Sequence, residues 1–422
     1  MKFTRKTVAP SGWITIRASQ HVQVQASRIY GVFYDVASWG INEQVRMLSK
    51  SENDSIQFGF ADRTRATVKL TIKPHGIVRI DVEHEALQTS HAADLRELFW
   101  AALLENIARR LLLEPMTVVS APGKINLFFK VGKLHEDGYH DVASIYQAVE
   151  LREEVVVERE AKWRVGVAGE NLSVEHIGAV PTGEDNLVVI AAKAVAALAG
   201  VAKPMPVGFA IQKEVPVSGG MGGGSADAAA AIVAVNELWK TGLTTKQLMS
   251  VASGIGADVP FAMMGGTAVG TGRGEKLTPI EDVATLHWVL LPDALGLSTP
   301  VVYKRLDELR AARGEDPQAA PNPRVPKALI EALHAGDAAA LAPLLQNDLQ
   351  EAALSLRPDL IHLLQAAEDA GALASLVSGS GPTIALLASS EADAVAIANR
   401  MRILVPEAIA TSGPALGAQL ED

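Results

Sequence analysis

One short segment constrains this chain more than any other: residues 219–224 and the alanine-rich run that follows them. Five of these six positions are glycine, and the next stretch, SADAAAAIVAVNELWK, contains neither glycine nor proline. Glycine costs about 0.5 to 1 kcal/mol relative to alanine inside regular structure, but it permits positive φ and a close approach of the main chain to a ligand. The sequence therefore predicts a tight backbone turn that leads directly into a helix.

The start of this helix is expected to bind an anion. The first turn of a helix leaves four N–H groups unpaired and carries a partial positive charge. Ser225 is the expected N-cap and Asp227 an acid of the first turn. Together these parts predict a cradle for a nucleotide phosphate. The alternative is a flexible loop followed by a capped helix.

The cradle fits neither of two common nucleotide-binding patterns. A Walker P-loop would end in Gly-Lys-Ser or Gly-Lys-Thr, and no such string is present. The dinucleotide fingerprint needs a third glycine where Ser225 stands. The pattern therefore indicates another class of nucleotide-binding protein.

Composition limits the remaining classes of function. A length of 422 residues predicts two or three domains, and 48% apolar with 20% charged residues is typical of a folded, soluble protein. A net charge of -10 argues against a nucleic-acid partner. The absence of cysteine excludes disulfides and thiolate metal sites. No signal-peptide core and no apolar run of membrane-spanning length is found, so we expect a cytoplasmic protein without a membrane partner.

Residues 1–114 are predicted to form a separate α+β domain. The segments SIQFGFAD, TRATVKLTIKP and GIVRIDVEHEAL alternate as antiparallel strands do, and ASRIYGVFYDVASWG has helical spacing. The segment AADLRELFWAALLENIARRLLLE predicts a long closing helix with Leu95, Phe99, Leu103 and Ile107 on its buried stripe. This order of elements resembles the helix-grip (START-like) family, and its function is left open.

The segment Pro216 to Ala229 resembles the signature P-x-x-x-G-[LM]-G-G-G-S-[SA]-[DN]-A-[AG] of the GHMP kinases. Two further patterns of that family stand in the expected order, with SAPGKINLFFKVG upstream of this segment and VSGSGPTIALL near the C-terminus. The resemblance covers residues 117–422 and implies an α+β, two-domain GHMP kinase fold. Residues 115–284 would form the N-terminal domain, similar to ribosomal S5 domain 2, and residues 285–422 the C-terminal domain.

Three more strings resemble one member of the family, namely EDGYH, GEDNLV and GIGADVPFAMMGGTAVGTGRGE. That member acts in the non-mevalonate route to isoprenoid precursors. The resemblance implies ATP-dependent phosphorylation of a cytidylated small-molecule alcohol, with Mg²⁺ bound to the ATP. The metal ligands remain unassigned.

The resemblance also implies a set of ATP-binding residues. They are Pro216, Val217, Ser218, Gly219, Gly220, Met221, Gly222, Gly223, Gly224, Ser225 and Ala226, with Asp185, Asn186 and Leu187 from GEDNLV. The short D-N-L string could instead be only a helix cap. The glycines Gly379 and Gly381 of SGSGPTIA are expected to close on the phosphate-binding region, or else to form a simple turn between strands. Met221 and Ala226 depart from the commoner leucine and serine.

Asp258 and Lys124 are the candidate catalytic residues by the same resemblance. A carboxylate beside the acceptor hydroxyl can take its proton, and a cation can neutralise charge at the transferred phosphoryl group. Asp258 could otherwise be a turn residue ahead of Pro260, and Lys124 a solvated surface charge. Alternation along a strand places Asn126 on the same face as Lys124, where the resemblance implies contact with the substrate.

Tyr139, His140 and Tyr303 match the family residues that meet the cytosine ring. An aromatic pair contributes about 0.5 to 1.5 kcal/mol beyond its burial, and an imidazole adds a hydrogen bond. Each of the three alone could be an ordinary core or half-exposed aromatic residue.

Other functions remain open. The chain could be a different GHMP small-molecule kinase or a nucleotide-binding regulator without catalysis. The N-terminal domain could bind a hydrophobic ligand or mediate self-association.

Overall fold

The structure is a computed structural model that describes most of the chain. The described residues are 3–8, 12–23, 29, 32–33, 36–39, 44–50, 55–73, 77–113, 116–160, 162–169, 177–216, 219–293 and 295–421. The chain divides into two compact units, Met1–Pro115 and Met116–Asp422, called here the N-terminal unit and the C-terminal unit.

The N-terminal unit contains a six-stranded antiparallel sheet and a long helix. Its elements are β1 (Phe3–Val8), β2 (Trp13–Gln23), a 3-10 helix (Val36–Trp39), β3 (Val45–Lys50), β4 (Ser55–Phe60), β5 (Arg65–Lys73), β6 (Ile77–Leu87) and α1 (Ser90–Leu113). The strand order is β1-β2-β6-β5-β4-β3. The three strands predicted from alternation are confirmed as β4, β5 and β6. Most of the predicted helix in ASRIYGVFYDVASWG lies outside the described residues.

Helix α1 packs on the sheet through a stripe that differs in part from the predicted one. Leu103 and Ile107 are buried as expected. The prediction is wrong at Leu95, whose side chain is 53% exposed, because the buried row runs instead through Ala93 and Trp100. Small and aromatic side chains thus form the start of the contact, and the leucine faces solvent.

Aromatic rings fill the interior of the N-terminal unit. The ring of Trp39 lies 4.9 Å from that of Phe58 and 6.3 Å from that of Trp100. His84 is fully buried, and it accepts a hydrogen bond from the Trp100 indole at 2.9 Å. The element order agrees with the predicted α+β sandwich, while the relation to helix-grip domains stays a prediction.

The C-terminal unit is built on two sheets with helices packed on them. Its strands are β7 (Met116–Leu134), β8 (His140–Arg159), β9 (Arg164–Ala168), β10 (Val207–Gln212), β11 (Thr267–Thr271), β12 (Lys276–Pro279), β13 (Leu286–Leu291), β14 (Gln346–Asn347), β15 (Ala374–Val377), β16 (Ile384–Ala388), β17 (Ile409–Gly413) and β18 (Gln419–Leu420). Its α-helices are α2 (Leu187–Leu198), α3 (Gly223–Trp239), α4 (Thr245–Ile255), α5 (Val259–Met264), α6 (Thr299–Ala312), α7 (Lys327–Ala335), α8 (Ala338–Leu341), α9 (Gln350–Leu356), α10 (Leu360–Asp369) and α11 (Glu391–Met401).

The long strand β8 organises the first sheet. It pairs antiparallel with β7, with β10 and with β11, and β7 also pairs with β14 and β18. Helix α3 lies against this sheet, and residues 228–231, all alanine, are fully buried. Alanine side chains let a helix backbone approach a sheet closely, which fixes the position of the first turn of α3.

The second sheet has the order β15-β16-β13-β17. Strands β15 and β16 confirm the prediction for LASLVSGSGPTIALLAS, and the turn between them carries its glycines. The last helix, predicted from Ser390, is confirmed as α11, with the Ser390 hydroxyl accepting from the Asp393 amide at 3.2 Å. The proposed boundary between residues 284 and 285 stays a prediction. In the described part of the chain, no helix combines the length and apolar character needed to span a bilayer.

Candidate active site

The glycine loop, residues 219–224, turns into α3 through Gly222. This residue is the N-cap of the helix, it has φ 72°, and no side chain caps the first turn. The predicted N-cap, Ser225, is therefore wrong. The N-cap lies three residues earlier than predicted and the helix begins at Gly223, because a left-handed glycine can start it inside the glycine run. The amides of the first turn remain available to an anion.

The turn between β15 and β16, residues 378–383, packs against the glycine loop. A Cβ added to Gly220 would lie 2.8 Å from the carbonyl oxygen of Ser378, and one added to Gly219 would lie 2.6 Å from the Thr383 hydroxyl. A Cβ on Gly379 would lie 3.0 Å from the Asn126 carboxamide oxygen. Only glycine permits these contacts, and the predicted closure of the third signature on the loop is observed.

Lys124 and Asp258 meet beside the glycine loop. The Lys124 ammonium lies 3.6 Å from the Asp258 carboxylate, and Lys124 is 8% exposed. A Cβ on Gly222 would lie 3.4 Å from Cγ of Lys124 and 3.8 Å from Oδ2 of Asp258. Asp258 precedes α5 but makes no side-chain cap there. Its carboxylate thus faces Lys124 rather than serving the turn.

Asn126 holds Lys124 in place. Its carboxamide oxygen accepts from the Lys124 ammonium at 3.0 Å, and its amide group donates to the Ser144 hydroxyl at 2.8 Å. Ser144 in turn donates to the carbonyl oxygen of Phe128 at 2.9 Å. The same-face placement of residues 124 and 126 is confirmed. Sequence reasoning missed Ser144, which lies on β8 and carries no motif of its own.

His140 and Tyr303 stack on each other, with ring centroids 5.3 Å apart and an interplanar angle of 28°. The His140 Nε2 lies 3.0 Å from Asp307. Tyr139 is 55% exposed, and the Arg273 guanidinium lies 4.0 Å from its ring centroid. The structure thus gathers the three predicted base-binding residues in one region.

One cleft of about 1060 Å³ joins this aromatic region to the Lys124–Asp258 pair. The predicted residues that line it are Lys124, Asn126, Tyr139, His140, Gly220, Gly222, Ser225, Asp258, Tyr303 and Gly379. Burial, and after it the charge of Asp258, raise the pKa of Tyr303. The same two causes, in the same order, raise the pKa of Tyr146. Both phenols therefore stay neutral, and the negative charge of Asp258 contributes to the raised pKa of each.

The remaining predicted ATP-binding residues do not all reach this cleft. Val217 and Ser218 lie outside the described residues. Asn186 caps α2, since its side chain accepts from the Val188 amide at 2.9 Å, and it also donates to the carbonyl oxygen of Pro181 at 2.6 Å. Leu187 lies beside the loop, 3.5 Å from a Cβ built on Gly224. The cap alternative for the D-N-L string is therefore observed, and contact with ATP stays a prediction.

Asp227 differs from its expected place at the helix end. Its carboxylate faces inward and accepts from the Lys213 ammonium at 2.8 Å, and Lys213 also donates to Glu153. All three side chains are buried, and a Cβ on Gly223 would lie 3.2 Å from the Lys213 ammonium. These residues, called the Lys213 cluster, lie directly behind the glycine loop.

Arg273 and Asp307 are further cleft residues that sequence reasoning did not single out. Asp307 stands four residues after Tyr303, so helical spacing was a signal for it. Arg273 lies within the quoted string GTGRGE, and it forms an ion pair with Asp137.

Comparison with known proteins places these observations in a family. The model described as GHMP kinases N terminal domain matches residues 186–266, and GHMP kinases C terminal matches residues 329–407. A protein from Nocardia farcinica named 4-diphosphocytidyl-2-C-methyl-D-erythritol kinase is 48% identical over 307 residues, which cover 72% of this chain and 96% of that protein. The protein of the same name from Rhodococcus jostii is 50% identical over 277 residues, covering 66% of this chain and 85% of that protein.

A solved structure supports the same relation. The crystal structure of a 4-(cytidine 5'-diphospho)-2C-methyl-D-erythritol kinase superposes with a TM-score of 0.58 at 29% identity, covering 71% of this chain and all of that one (100%).

Proposed function

The chain belongs to the GHMP kinases, among their 4-diphosphocytidyl-2-C-methyl-D-erythritol kinases, and on this premise we propose that it phosphorylates that compound with ATP. The acceptor is the 2-hydroxyl group, and the product feeds isoprenoid precursor synthesis. The observation that carries the proposal is the Lys124–Asp258 contact of 3.6 Å beside Gly222, in one cleft with the His140–Tyr303 stack.

Each part of the cleft has a place in the reaction. The free amides of the glycine loop and of the first turn of α3 hold the ATP phosphates. The Asp258 carboxylate accepts the proton of the acceptor hydroxyl as the new bond to phosphorus forms. Lys124, oriented by Asn126, stabilises negative charge on the transferred phosphoryl group. Tyr139, His140 and Tyr303 hold the cytosine and so position the hydroxyl.

Mg²⁺ bound with ATP would screen the charge of its phosphates. No group of three or more metal-binding side chains occurs among the described residues. This fits Mg²⁺, which usually takes phosphate oxygens, waters and only one or two carboxylates. The Ser225 hydroxyl lines the cleft and is the side chain that would contact the ion, directly or through water.

The test is turnover by the purified full chain with ATP and Mg²⁺. We expect conversion of the cytidylated substrate, and no comparable turnover of homoserine, mevalonate or galactose. Preference for one of these would assign the chain to another GHMP small-molecule kinase. Binding of ATP without any turnover would assign it to the regulators.

Replacing Asp258 tests the proposed base. Asp258→Asn keeps the shape of the side chain but removes its basicity, so kcat should fall by about 10²-fold or more, the usual size of a general-base contribution. The KM for ATP should stay within about threefold, because the loop amides bind the phosphates. Asp369→Asn, an exposed residue outside the cleft, is the matched control. Steady-state kinetics would contradict the assignment if Asp258→Asn kept most of its activity.

For the N-terminal unit we propose self-association rather than binding of a hydrophobic ligand. Aromatic rings packed edge to face fill its interior, whereas Leu95 and Leu98 are 53% and 69% exposed on α1. Exposed apolar side chains grouped on one helix are typical of contact surfaces. The absence of cysteine supports a cytoplasmic location for the whole chain.

A further inference from the structure

Two side chains of α6 hold the ring of His140. Tyr303 stacks on it with centroids 5.3 Å apart, and Oδ1 of Asp307 lies 3.0 Å from its Nε2. Tyr303 and Asp307 are four residues apart and so project from the same face of the helix. His140 is only 5% exposed, yet all three side chains line the cleft. The plane and the direction of the imidazole are therefore fixed.

Asp307 also determines which ring nitrogen of His140 carries the proton. A carboxylate only accepts hydrogen bonds, so Nε2 must donate to it. In the neutral ring, Nδ1 is then an acceptor. Within the described part of the chain, Nδ1 of His140 has no hydrogen-bond partner. It is not fully buried, so a ligand in the cleft can reach it. Nδ1 thus offers its lone pair to a ligand in the cleft.

We propose that Asp307, acting through His140, selects a pyrimidine with an amino group against one with a carbonyl group. The inference rests on the proposed function, because it concerns the cytidine end of that substrate. The exocyclic amine of cytosine donates to the Nδ1 lone pair, whereas uracil presents a carbonyl oxygen there. Two acceptors would face each other, and buried polar groups left unpaired discriminate strongly between ligands. Asp307 is thus a positioning residue that sets specificity.

Asp307→Asn tests this role, because an amide can either accept from Nε2 or donate to it and no longer holds one tautomer. Steady-state kinetics at about pH 8, where a free imidazole is neutral, would compare the cytidylated substrate with its uridylated analogue. In the variant, the ratio of the two kcat/KM values should fall by about tenfold or more through KM, with kcat within about threefold. Glu308→Gln, the neighbouring and exposed residue of α6, should keep the wild-type ratio.

A ratio in Asp307→Asn within about threefold of the wild-type ratio overturns the inference. So does a loss of kcat with both substrates at unchanged KM, which indicates a general structural effect. Wild-type enzyme that converts both substrates equally well refutes the inference while the proposed function stands.

A second measurement needs no folded Asp307 variant. In the NMR spectrum of the wild-type full chain labelled with ¹⁵N-histidine, the His140 signals are identified by their loss in His140→Gln. At about pH 8 we expect the proton on Nε2, and a proton on Nδ1 overturns the inference. If the wild type converts neither substrate, the proposed function fails and the inferred selection fails with it, whereas a proton on Nδ1 in an active enzyme overturns the inference alone.

Discussion

Gly222 meets two demands that a larger residue cannot meet together. It has φ 72° at the N-cap of α3, and its α-carbon faces the Lys124–Asp258 pair, with a Cβ placed only 3.4 Å from Lys124. A side chain there would strain the left-handed backbone, and its Cβ would lie in van der Waals contact with Lys124 and Asp258. Gly222 thereby links the shape of the loop to the position of the Lys124–Asp258 pair.

Gly222→Ala should therefore lower both stability and activity. The left-handed backbone alone costs a residue with a Cβ about 1 to 2 kcal/mol. We expect kcat/KM to fall by about tenfold or more, because displacement of a positioned group by 1 Å can cost about 10²-fold. Gly242→Ala is the matched control, since Gly242 has φ 71° but nothing within 4 Å of an added Cβ. Urea denaturation should show that the two variants are destabilised to the same extent, and kinetics should show that Gly242→Ala keeps the activity of the wild type. A Gly222→Ala variant as active as the wild type would refute the argument.

Sequence reasoning located single residues well where a motif carried them. Lys124, Asp258 and Asn126 lie together as predicted, because a strand alternates and a motif fixes its residue types. Ser225 was misplaced because helix propensity disfavours glycine, whereas packing behind Gly223 leaves no room for a Cβ.

At the scale of elements, the Lys213 cluster anchors the first turn of α3 to β8. One ammonium faces two carboxylates there, so among the described residues one of the two negative charges has no cationic partner. Burial, and after it the charge of Asp227, raise the pKa of Glu153 to about 8, and burial raises the pKa of Asp227. The folded protein therefore keeps a proton that the unfolded chain releases.

The pH dependence of stability follows from this proton. Because the folded pKa of Glu153 lies above its ordinary value of 4.5, this group lowers the free energy of unfolding as pH rises from about 4.5 to about 8. Asp227→Asn removes one of the two charges. Its free energy of unfolding relative to wild type should rise by about 1 kcal/mol or more between pH 5.5 and 8.5, roughly the value of one pKa unit.

Urea denaturation at several pH values measures this difference, with loss of kinase activity as the signal of unfolding. The control is Glu184→Gln, because Glu184 makes a similar contact of 2.7 Å to Lys193 but is 69% exposed. The free energy of unfolding of Glu184→Gln should differ from that of the wild type by the same amount at every pH. If the free energy of unfolding of Asp227→Asn relative to the wild type did not change with pH, the Lys213 cluster would hold no extra proton.

The elements themselves were largely predictable, and their long-range contacts were not. Alternation and turn residues predicted β4, β5, β6, β15 and β16, since these signals are local. The Lys213 cluster joins residues 153, 213 and 227, which no local pattern relates. Asp227 was read as an acid of the first turn because only tertiary packing reveals its inward direction.

At the scale of the whole molecule, every described residue that lines the cleft belongs to the C-terminal unit. The alignment with the Nocardia farcinica protein covers 96% of that relative and leaves 4%, too little for a counterpart of the N-terminal unit. Catalysis should therefore not require residues 1–115.

Residues 116–422 expressed alone should keep kcat and both KM values within about threefold of the full chain, because the groups that position the substrates are all retained. Light scattering should give a smaller assembly for this fragment than for the full chain, as the proposed self-association requires. Leu98→Glu in the full chain should lower its assembly state in the same way, with Glu97→Gln as control. Equal assembly of full chain and fragment would exclude self-association through the N-terminal unit.

Strand β18 pairs with β7, with Leu420 opposite Val119, only five positions before Lys124. The strand that bears Lys124 thus gains a neighbour from residues that a ribosome adds about three hundred positions later. During synthesis, all strands of the N-terminal unit are made long before β18 can pair with the edge of β7. The order of synthesis therefore leaves this edge of β7 open until residues 419 and 420 have been made.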